Sequence, residues 1–401
     1  MKILFIGGLF SDKQKDSVLK DSKTMPNMAA NVHQWNIVNG LGDNVDIINP
    51  LFLGNFPKEY KKIIVRKSKW KHNQNSNNIS PSTINIFGIK QLFRLFTLSK
   101  EIRKWIYSQE SEENIILIYS LNTSFLYSLK LARLFLSKKY KIKTCLIVPD
   151  LPLFYINNKG KNRIYRFLKT IDWKLMIRET KNIDSFILLT EQMKNKIPIN
   201  FKPFFICEGI CTIEHLQTYK NISEKSITYT GTLDVEFGVV ELLKNFTECA
   251  SDDWVLNIAG SGNAVNIVKK YAKNDLRIHY YGILSNEDTK VLQCKSRLLI
   301  NPRSNIEEFT KYSFPSKTME YLKSGRPILM YHLAGIPKEY DEFLNYFEDT
   351  SSKCFQTKLV AMMEKSNLEL DTMGERGKRF VEQNKNYIVQ GEKIINFLNN
   401  I

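Results

Sequence analysis

The stretch with the most chemical content is Tyr312–Arg326, YSFPSKTMEYLKSGR. Its spacing predicts a helix that begins near Ser313–Ser316, with Ser313 as N-cap and Pro315 in the first turn. The helix should end at Gly325, with Pro327 beyond it as a stop. A helix N-terminus presents N–H groups without intrahelical partners and the positive end of the dipole, here beside Lys317. That is chemistry for a phosphate or diphosphate. Glu320, about one turn further on, could accept two ribose hydroxyls of the same nucleotide. An ordinary capped surface helix with a solvated Glu320 would have the same residues, and local chemistry leaves both readings open.

Other constellations carry less. Gly260-Ser261-Gly262-Asn263-Ala264-Val265 is nearly G-x-G-x-x-G, but Val265 stands at the last glycine. No clear acidic ribose partner follows about 20 residues on, so the stretch reads as a strand-end turn rather than a dinucleotide fingerprint. Cys207, Cys211 and His215 follow at intervals of four without an evident fourth metal ligand. With Cys145, Cys249, Cys294 and Cys354 they read as reduced thiols. His33, His72, His215, His279 and His332 are scattered, and no Ser–His–Asp set or Walker loop is evident.

These residues need a scaffold. Lys2–Ile6 is an apolar run stopping at Gly7-Gly8, a buried strand and a tight turn. Helical spacing follows over Met28–Leu41, then a strand at Val45–Ile48. Residues 56–85, polar and basic, read as a loop or partly ordered excursion. Ile89–Tyr107 reads as helix, Asn114–Tyr119 as strand, Phe125–Ser137 as helix and Lys143–Val148 as strand. Ile164–Thr180 is a basic amphipathic helix, and Ser185–Leu189 a strand. The pattern restarts near residue 226: strands at Ser226–Tyr229, Trp254–Ile258, Ile278–Tyr281 and Arg297–Ile300 end at Gly231, Gly260, Gly282 and Asn301-Pro302-Arg303. Alternating strands and helices imply two α/β units with parallel sheets, whose ligands bind beyond the carboxyl ends of the strands.

The chain of 401 residues carries a net charge of +17. Residues 1–200 hold 33 Lys and Arg against 15 Asp and Glu; residues 201–401 hold 25 against 26. The basic half suits phosphate or an anionic surface. Lys58–His72 and Lys159–Lys181 interleave cations with aromatic and aliphatic residues, as an anionic membrane surface or a solvated basic face would require. No nucleic-acid motif is present, so no nucleic-acid partner is expected. No signal peptide is visible and no run approaches a membrane span. The expected location is cytoplasmic, peripheral at the inner face of the plasma membrane.

Ser313-Phe314-Pro315-Ser316-Lys317, Glu320-Tyr321, Ser324-Gly325 and Pro327 together resemble the donor-site helix of family-4 glycosyltransferases with the GT-B fold. Tyr229-Thr230-Gly231-Thr232-Leu233, Ile258–Gly262, Asp275–Ile278 with Gly282, and Asn301-Pro302-Arg303 match in order and spacing. Asp150-Leu151-Pro152, Leu189–Met193 and Glu208-Gly209 resemble landmarks of the N-terminal half. The resemblance is nearest to bacterial enzymes of capsule or O-antigen synthesis. It implies two Rossmann-like domains facing across a cleft. The acceptor-binding domain would span 1–215, with a helix over 386–401 crossing back to it. The nucleotide-sugar domain would span 216–385.

The resemblance also implies roles. Glu320 would bind the donor ribose, Ser316 and Lys317 the diphosphate, and Gly231-Thr232 would lie over the phosphates. The loop after Gly282 would touch the base. Gly7-Gly8 would border the reacting centre, so Gly8 joins Asp150 as a catalytic candidate. Asp150 would sit on the acceptor side, and His33, near the glycine turn in such a fold, could reach the acceptor. There are departures. The first of the two glutamates often found in such motifs is replaced by Tyr312, with Glu307 and Glu308 out of register. An Arg and a Lys common after the turn glycine are replaced by Thr232 and Phe237, leaving Lys317 and Arg303 to meet the diphosphate charge. No D-x-D pair is present, so no metal and no other cofactor is expected. The implied activity is retaining, metal-independent transfer from a nucleotide-sugar, of UDP type, to a lipid-linked glycan. A metal-dependent or inverting transferase, a nicotinamide-dependent oxidoreductase and a non-catalytic basic scaffold are the alternatives.

Overall fold

Short aliphatic runs bounded by Gly, Asn and Pro form the strands, and capped amphipathic stretches form the helices between them. The computed structural model describes residues 1–24, 26–109, 114–137, 140–154, 163–213 and 225–401. Two units result: Met1–Ile210 with Tyr387–Ile401, and Cys211–Asn386.

In the first unit the strands are β1 (Lys2–Ile6), β2 (Val45–Ile48), β3 (Ile64–Val65), β4 (Ser68–Trp70), β5 (Asn78–Ser80), β6 (Thr83–Ile84), β7 (Asn114–Tyr119), β8 (Ile142–Val148), β9 (Ser185–Leu188) and β10 (Phe204–Ile206). The main sheet has the order β10-β9-β8-β7-β1-β2-β5-β4, parallel apart from the antiparallel β4–β5 pair. Every residue of β2 and β7 is buried, as a parallel sheet covered on both faces requires. The chain runs outward from β1 in both directions, so the sheet's switch point lies at the ends of β1 and β7.

The helices Ile89–Tyr107, Thr123–Leu134 and Arg163–Thr180 pack side by side. Met28–Gly40 packs against the last helix, Tyr387–Asn399, which thus belongs to the first unit. That crossing depends on two glycines. A Cβ on Gly391 would lie 2.1 Å from the Gly40 carbonyl oxygen, and one on Gly40 would lie 2.3 Å from that of Tyr387.

One expectation is corrected in this unit, and one helix carried no expectation. Residues 56–85 are not a loop: β3 pairs with β6, and β5 extends the main sheet beside β2 through Ile48 and Ile79. Strands of two or three residues are too short to display a period of two. Asp12–Asp21 is an unexpected helix. It is polar, with only Val18 and Asp21 buried, and stands on a capping box between Ser11 and Gln14 rather than on an apolar stripe.

In the second unit β11 (Ser226–Thr232), β12 (Val255–Ser261), β13 (Ile278–Tyr280), β14 (Leu298–Asn301), β15 (Ile328–Tyr331) and β16 (Asn345–Phe347) form a parallel sheet of order β13-β12-β11-β14-β15-β16. Its switch point lies between β11 and β14. Gly231 and Gly260, expected as turns, are instead ladder partners near the ends of β11 and β12. The two backbones touch: Gly260 has φ +144°, and a Cβ there would lie 1.8 Å from the Gly231 carbonyl oxygen. The helices Asn286–Lys295, Ser352–Met363 and Asn367–Asn384, each capped by a serine side chain, complete the unit. Among the described residues no helix is long and apolar enough to cross a membrane.

Candidate active site

The helix of the Tyr312–Arg326 stretch runs from Ser316 to Lys323. Ser313 is not its cap. Pro315 takes that position, and no side chain caps the helix. The Ser313 hydroxyl accepts a hydrogen bond from Arg303 Nη2 at 2.8 Å and donates to the Phe309 carbonyl at 3.3 Å. Proline at the N-cap has no side-chain oxygen to fold back; Thr318 N–H turns to the Pro315 carbonyl at 2.8 Å, and the Ser316 and Lys317 N–H groups are left for an external acceptor. Tyr321, fully buried, fixes where the helix points. Its hydroxyl donates to the Thr230 carbonyl at 3.1 Å and accepts the Thr230 N–H at 2.8 Å. The helix N-terminus is thereby set at the end of β11.

A cavity of about 500 Å³ opens there. Gly231, Thr232, Gly260 and Ser261 form its floor, Ile283 and Leu284 one wall, and Arg303, Ser316 and Lys317 contribute polar groups. Gly282 precedes the apolar wall at φ +69°, and its carbonyl accepts the Gly260 N–H at 2.7 Å. Lys317 Nζ lies 2.6 Å from Glu320 Oε2. The expected ribose ligand and the expected phosphate ligand are thus partners of each other; Lys317 lines the cavity, and Glu320, one turn further along the helix, is not among its lining residues.

Arg303 is held by residues that sequence reasoning did not connect. Its guanidinium lies 4.4 Å from the Phe309 ring centroid and 5.3 Å from that of Phe237. Two rings and the Ser313 hydroxyl keep the cation at the cavity. Phe237 stands where relatives of the resembled family place a lysine; here it braces a cation delivered from the end of β14. The signal was visible as a departure, but its purpose depends on Phe309, 72 residues away. Tyr312, at the missing glutamate's position, is buried and donates from its hydroxyl to Glu308 Oε1 at 3.2 Å.

The first-unit candidates gather at the carboxyl end of its sheet. Gly8 is buried: its N–H donates to Gln34 Oε1 at 2.8 Å, and a Cβ there would lie 1.9 Å from the Phe52 ring. His33 Nδ1 lies 3.1 Å from the Tyr119 hydroxyl, and its covered Nε2 has no hydrogen-bond partner. Burial lowers the His33 pKa to about 4, so the ring is neutral near pH 7. Asp150 follows β8 and is exposed. Desolvation by its surroundings raises its pKa, and Lys169 opposes the rise; solvent access to the carboxylate limits that push. Burial and the Asp150 charge both raise the Tyr119 pKa, which keeps its hydroxyl protonated.

No group of three His, Cys, Asp or Glu side chains suited to a metal ion occurs among the described residues. Cys207 and Cys211 are buried thiols, Cys211 directed to the Val381 carbonyl at 3.3 Å. His215 lies outside the described residues.

Residues 224–365 match the family model described as "Glycosyl transferases group 1". No curated protein matches the chain. Among solved structures, sucrose-phosphate synthase from Thermosynechococcus elongatus is similar at TM-score 0.67 and 10% identity, covering 100% of this chain and 99% of that one. The apo lipopolysaccharide outer core galactosyltransferase WaaB is similar at TM-score 0.62 and 14% identity, covering 100% and 99%. Anabaena HepE, solved in complex with UDP, is similar at TM-score 0.62 and 10% identity, covering 100% of both chains. The chain therefore has the two-unit GT-B architecture of solved glycosyltransferases, and the part of its second unit from 224 to 365 is what matches the group 1 model.

Proposed function

We propose that this protein transfers a sugar from a nucleotide-sugar donor, of UDP type, to a lipid-linked surface-polysaccharide acceptor. One observation carries the donor half. At the switch point of the second sheet, an uncapped helix N-terminus, Lys317, Arg303 and two side-chain-free strand ends converge on one cavity. Glycines at 231 and 260 let the diphosphate approach the backbone, while the dipole, Arg303 and Lys317 stabilise the charge that grows on it as the sugar leaves. Glu320 exchanges its bond with Lys317 for the ribose hydroxyls, freeing Lys317 for phosphate. The apolar wall at Ile283-Leu284 takes the base. This supports a reaction that needs no metal. The UDP bound in the HepE complex points to the same nucleotide.

The acceptor half rests on the first unit. His33, Tyr119 and Asp150 meet at the end of its sheet, where an acceptor would bring its hydroxyl. A neutral His33 adds no charge there and holds the Tyr119 hydroxyl through Nδ1. Retention, with attack on the same face as departure and no enzyme nucleophile, is our reading of the stereochemistry. The exposed helix Arg163–Thr180 presents Arg163, Arg166, Lys174 and Arg178 beside Ile164, Phe167 and Leu168. It supports attachment to an anionic membrane at its cytoplasmic face, where a lipid-linked acceptor resides.

The test is calorimetry and thermal shift against UDP, GDP, dTDP, CMP and NAD, with and without EDTA. Stabilisation by one sugar-type nucleotide, unchanged by EDTA, is expected. Stabilisation by NAD alone, or by no nucleotide, would overturn the donor assignment; loss of the effect in EDTA would overturn metal independence.

A further inference from the structure

The first two turns of the helix Ile89–Tyr107 are inside out. Lys90 and Arg94 point inward, 6% and 3% exposed, while Phe87, Leu92 and Phe96 are 80%, 63% and 61% exposed. Beyond Thr97, Leu98, Ile102 and Trp105 are buried and Lys100 and Lys104 outside, with Glu101 buried and paired to Lys67. The inversion is locked. Lys90 Nζ donates to the Leu53 carbonyl at 2.6 Å, to Asn85 Oδ1 at 3.0 Å and to Asn55 Oδ1 at 3.1 Å. Arg94 Nη2 donates to the Leu51 carbonyl at 3.2 Å. Rolling the helix to hide its apolar stripe would leave these acceptors buried without donors.

The antiparallel pair β3–β6 lies beside this helix. Ile64 of β3 pairs with Ile84 of β6, and Asn85 N–H donates to the Ile63 carbonyl at 2.6 Å. Ile63 and Ile64 are themselves exposed. Single exposed apolar residues need no explanation, but a contiguous set held outward by buried charges does. The surroundings are strongly basic. Residues 51–100 carry ten Lys and Arg and one acid, Glu59. Lys58, Lys61, Lys62, Arg66, Lys67 and Lys69, on and next to β3 and β4 in sequence, are exposed, with Lys62 and Lys67 paired to Asp21 and Glu101.

We propose that this face, Phe87, Ile89, Leu92 and Phe96 with Ile63 and Ile64, is the element that enters an anionic lipid bilayer. The inference rests on the membrane part of the proposed function and names the residues that penetrate. Apolar side chains enter below the headgroups while lysines reach back to lipid phosphates. A second copy of the chain fits this face less well, because two like-charged rims would meet.

The test uses the full chain with phosphatidylcholine vesicles, with and without about one-third phosphatidylglycerol. Cosedimentation is compared for the wild type, Leu92→Glu/Phe96→Glu and Ile164→Glu/Phe167→Glu, and hydrogen exchange is followed on the vesicles. We expect binding only to the anionic vesicles, at least about tenfold weaker in Leu92→Glu/Phe96→Glu. Exchange protection should centre on residues 84–98. Both sites are exposed, so thermal unfolding and UDP-induced stabilisation should match wild type. Wild-type binding in Leu92→Glu/Phe96→Glu, protection confined to 163–180, or no vesicle binding at all would overturn the proposal. So would a wild-type dimer that this variant converts to monomer. UDP binding without vesicle binding would sink the membrane reading and leave the donor site standing; vesicle binding without any nucleotide binding would do the reverse.

Discussion

Removing the Arg303 guanidinium tests the relocated cation directly. The side chain sits at the cavity, braced by Phe309 at 4.4 Å, Phe237 at 5.3 Å and the Ser313 hydroxyl at 2.8 Å. A hydrogen bond to a charged group contributes roughly 1.5–3 kcal/mol. At about 1.4 kcal/mol per factor of ten, Arg303→Ala should raise the Kd for UDP about ten- to a hundredfold. Coulomb attraction at contact distance in partly wet surroundings has a similar size, roughly 1–4 kcal/mol, so it does not change the expectation. The two ring contacts concern the fold more than the ligand, and their loss lowers stability by about 1–2 kcal/mol. Phe237→Ala removes the more distant brace and should weaken UDP binding by less than Arg303→Ala does. Phe237→Lys in the Arg303→Ala background returns a cation to the neighbouring wall and should recover part of the affinity. Isothermal calorimetry at fixed ionic strength reads all three. A folded Arg303→Ala protein that binds UDP with wild-type affinity would refute the assignment. Failure of the double variant to recover any affinity would show that position 237 only braces.

Three further outcomes follow from the geometry. Glu320→Ala breaks a half-exposed i,i+3 pair worth no more than about 0.5 kcal/mol, so its Tm should barely change while nucleotide-sugar affinity falls at least about tenfold. Unchanged donor affinity would remove Glu320 from the site. Gly260→Ala places a Cβ 1.8 Å from the Gly231 carbonyl at a φ of +144° and should cost about 3 kcal/mol or more, read as a drop in the urea midpoint with loss of nucleotide binding. His33 takes up a proton near pH 6.5 when unfolded but only near pH 4 when folded. Its lowered pKa therefore contributes stability that is complete above about 6.5 and is lost as pH falls toward 4, on the order of 3 kcal/mol across that window. His33→Gln should flatten the urea-midpoint profile over that range; an unaltered acid slope would place the titrating group elsewhere.

Much of the architecture was legible before any coordinates. The runs read as strands at Lys2–Ile6, Asn114–Tyr119 and Ser226–Tyr229 are parallel strands buried over most of their length, the last continuing to Thr232, and such strands read as hydrophobic runs. The helix ending at Gly325 was legible because its stop signals are local. What was missed lacked a periodic signal. The helix Asp12–Asp21 is too polar to show an apolar stripe, and β3 to β6 are too short to show alternation. Ser313 shows the limit of local rules. It has the residue type and nearly the position of an N-cap, yet its hydroxyl serves Arg303, and Pro315 leaves the helix end open.

The sequence by itself determined which residues offer groups suited to a nucleotide, Lys317, Glu320 and the strand-end glycines, because they lie in short segments whose conformation is set by near neighbours. Only the tertiary structure decided how they are held. Arg303 is braced by Phe237 and Phe309 from different loops, Tyr321 ties its helix to Thr230, and His33 meets Tyr119 across 86 residues. The outward stripe of Phe87, Leu92 and Phe96 likewise depends on carbonyls and side chains at Leu51 to Asn55 that capture Lys90 and Arg94. Periodicity alone would have turned the charges outward. Non-local partners settled these positions because a buried donor must find its acceptor wherever the chain places one.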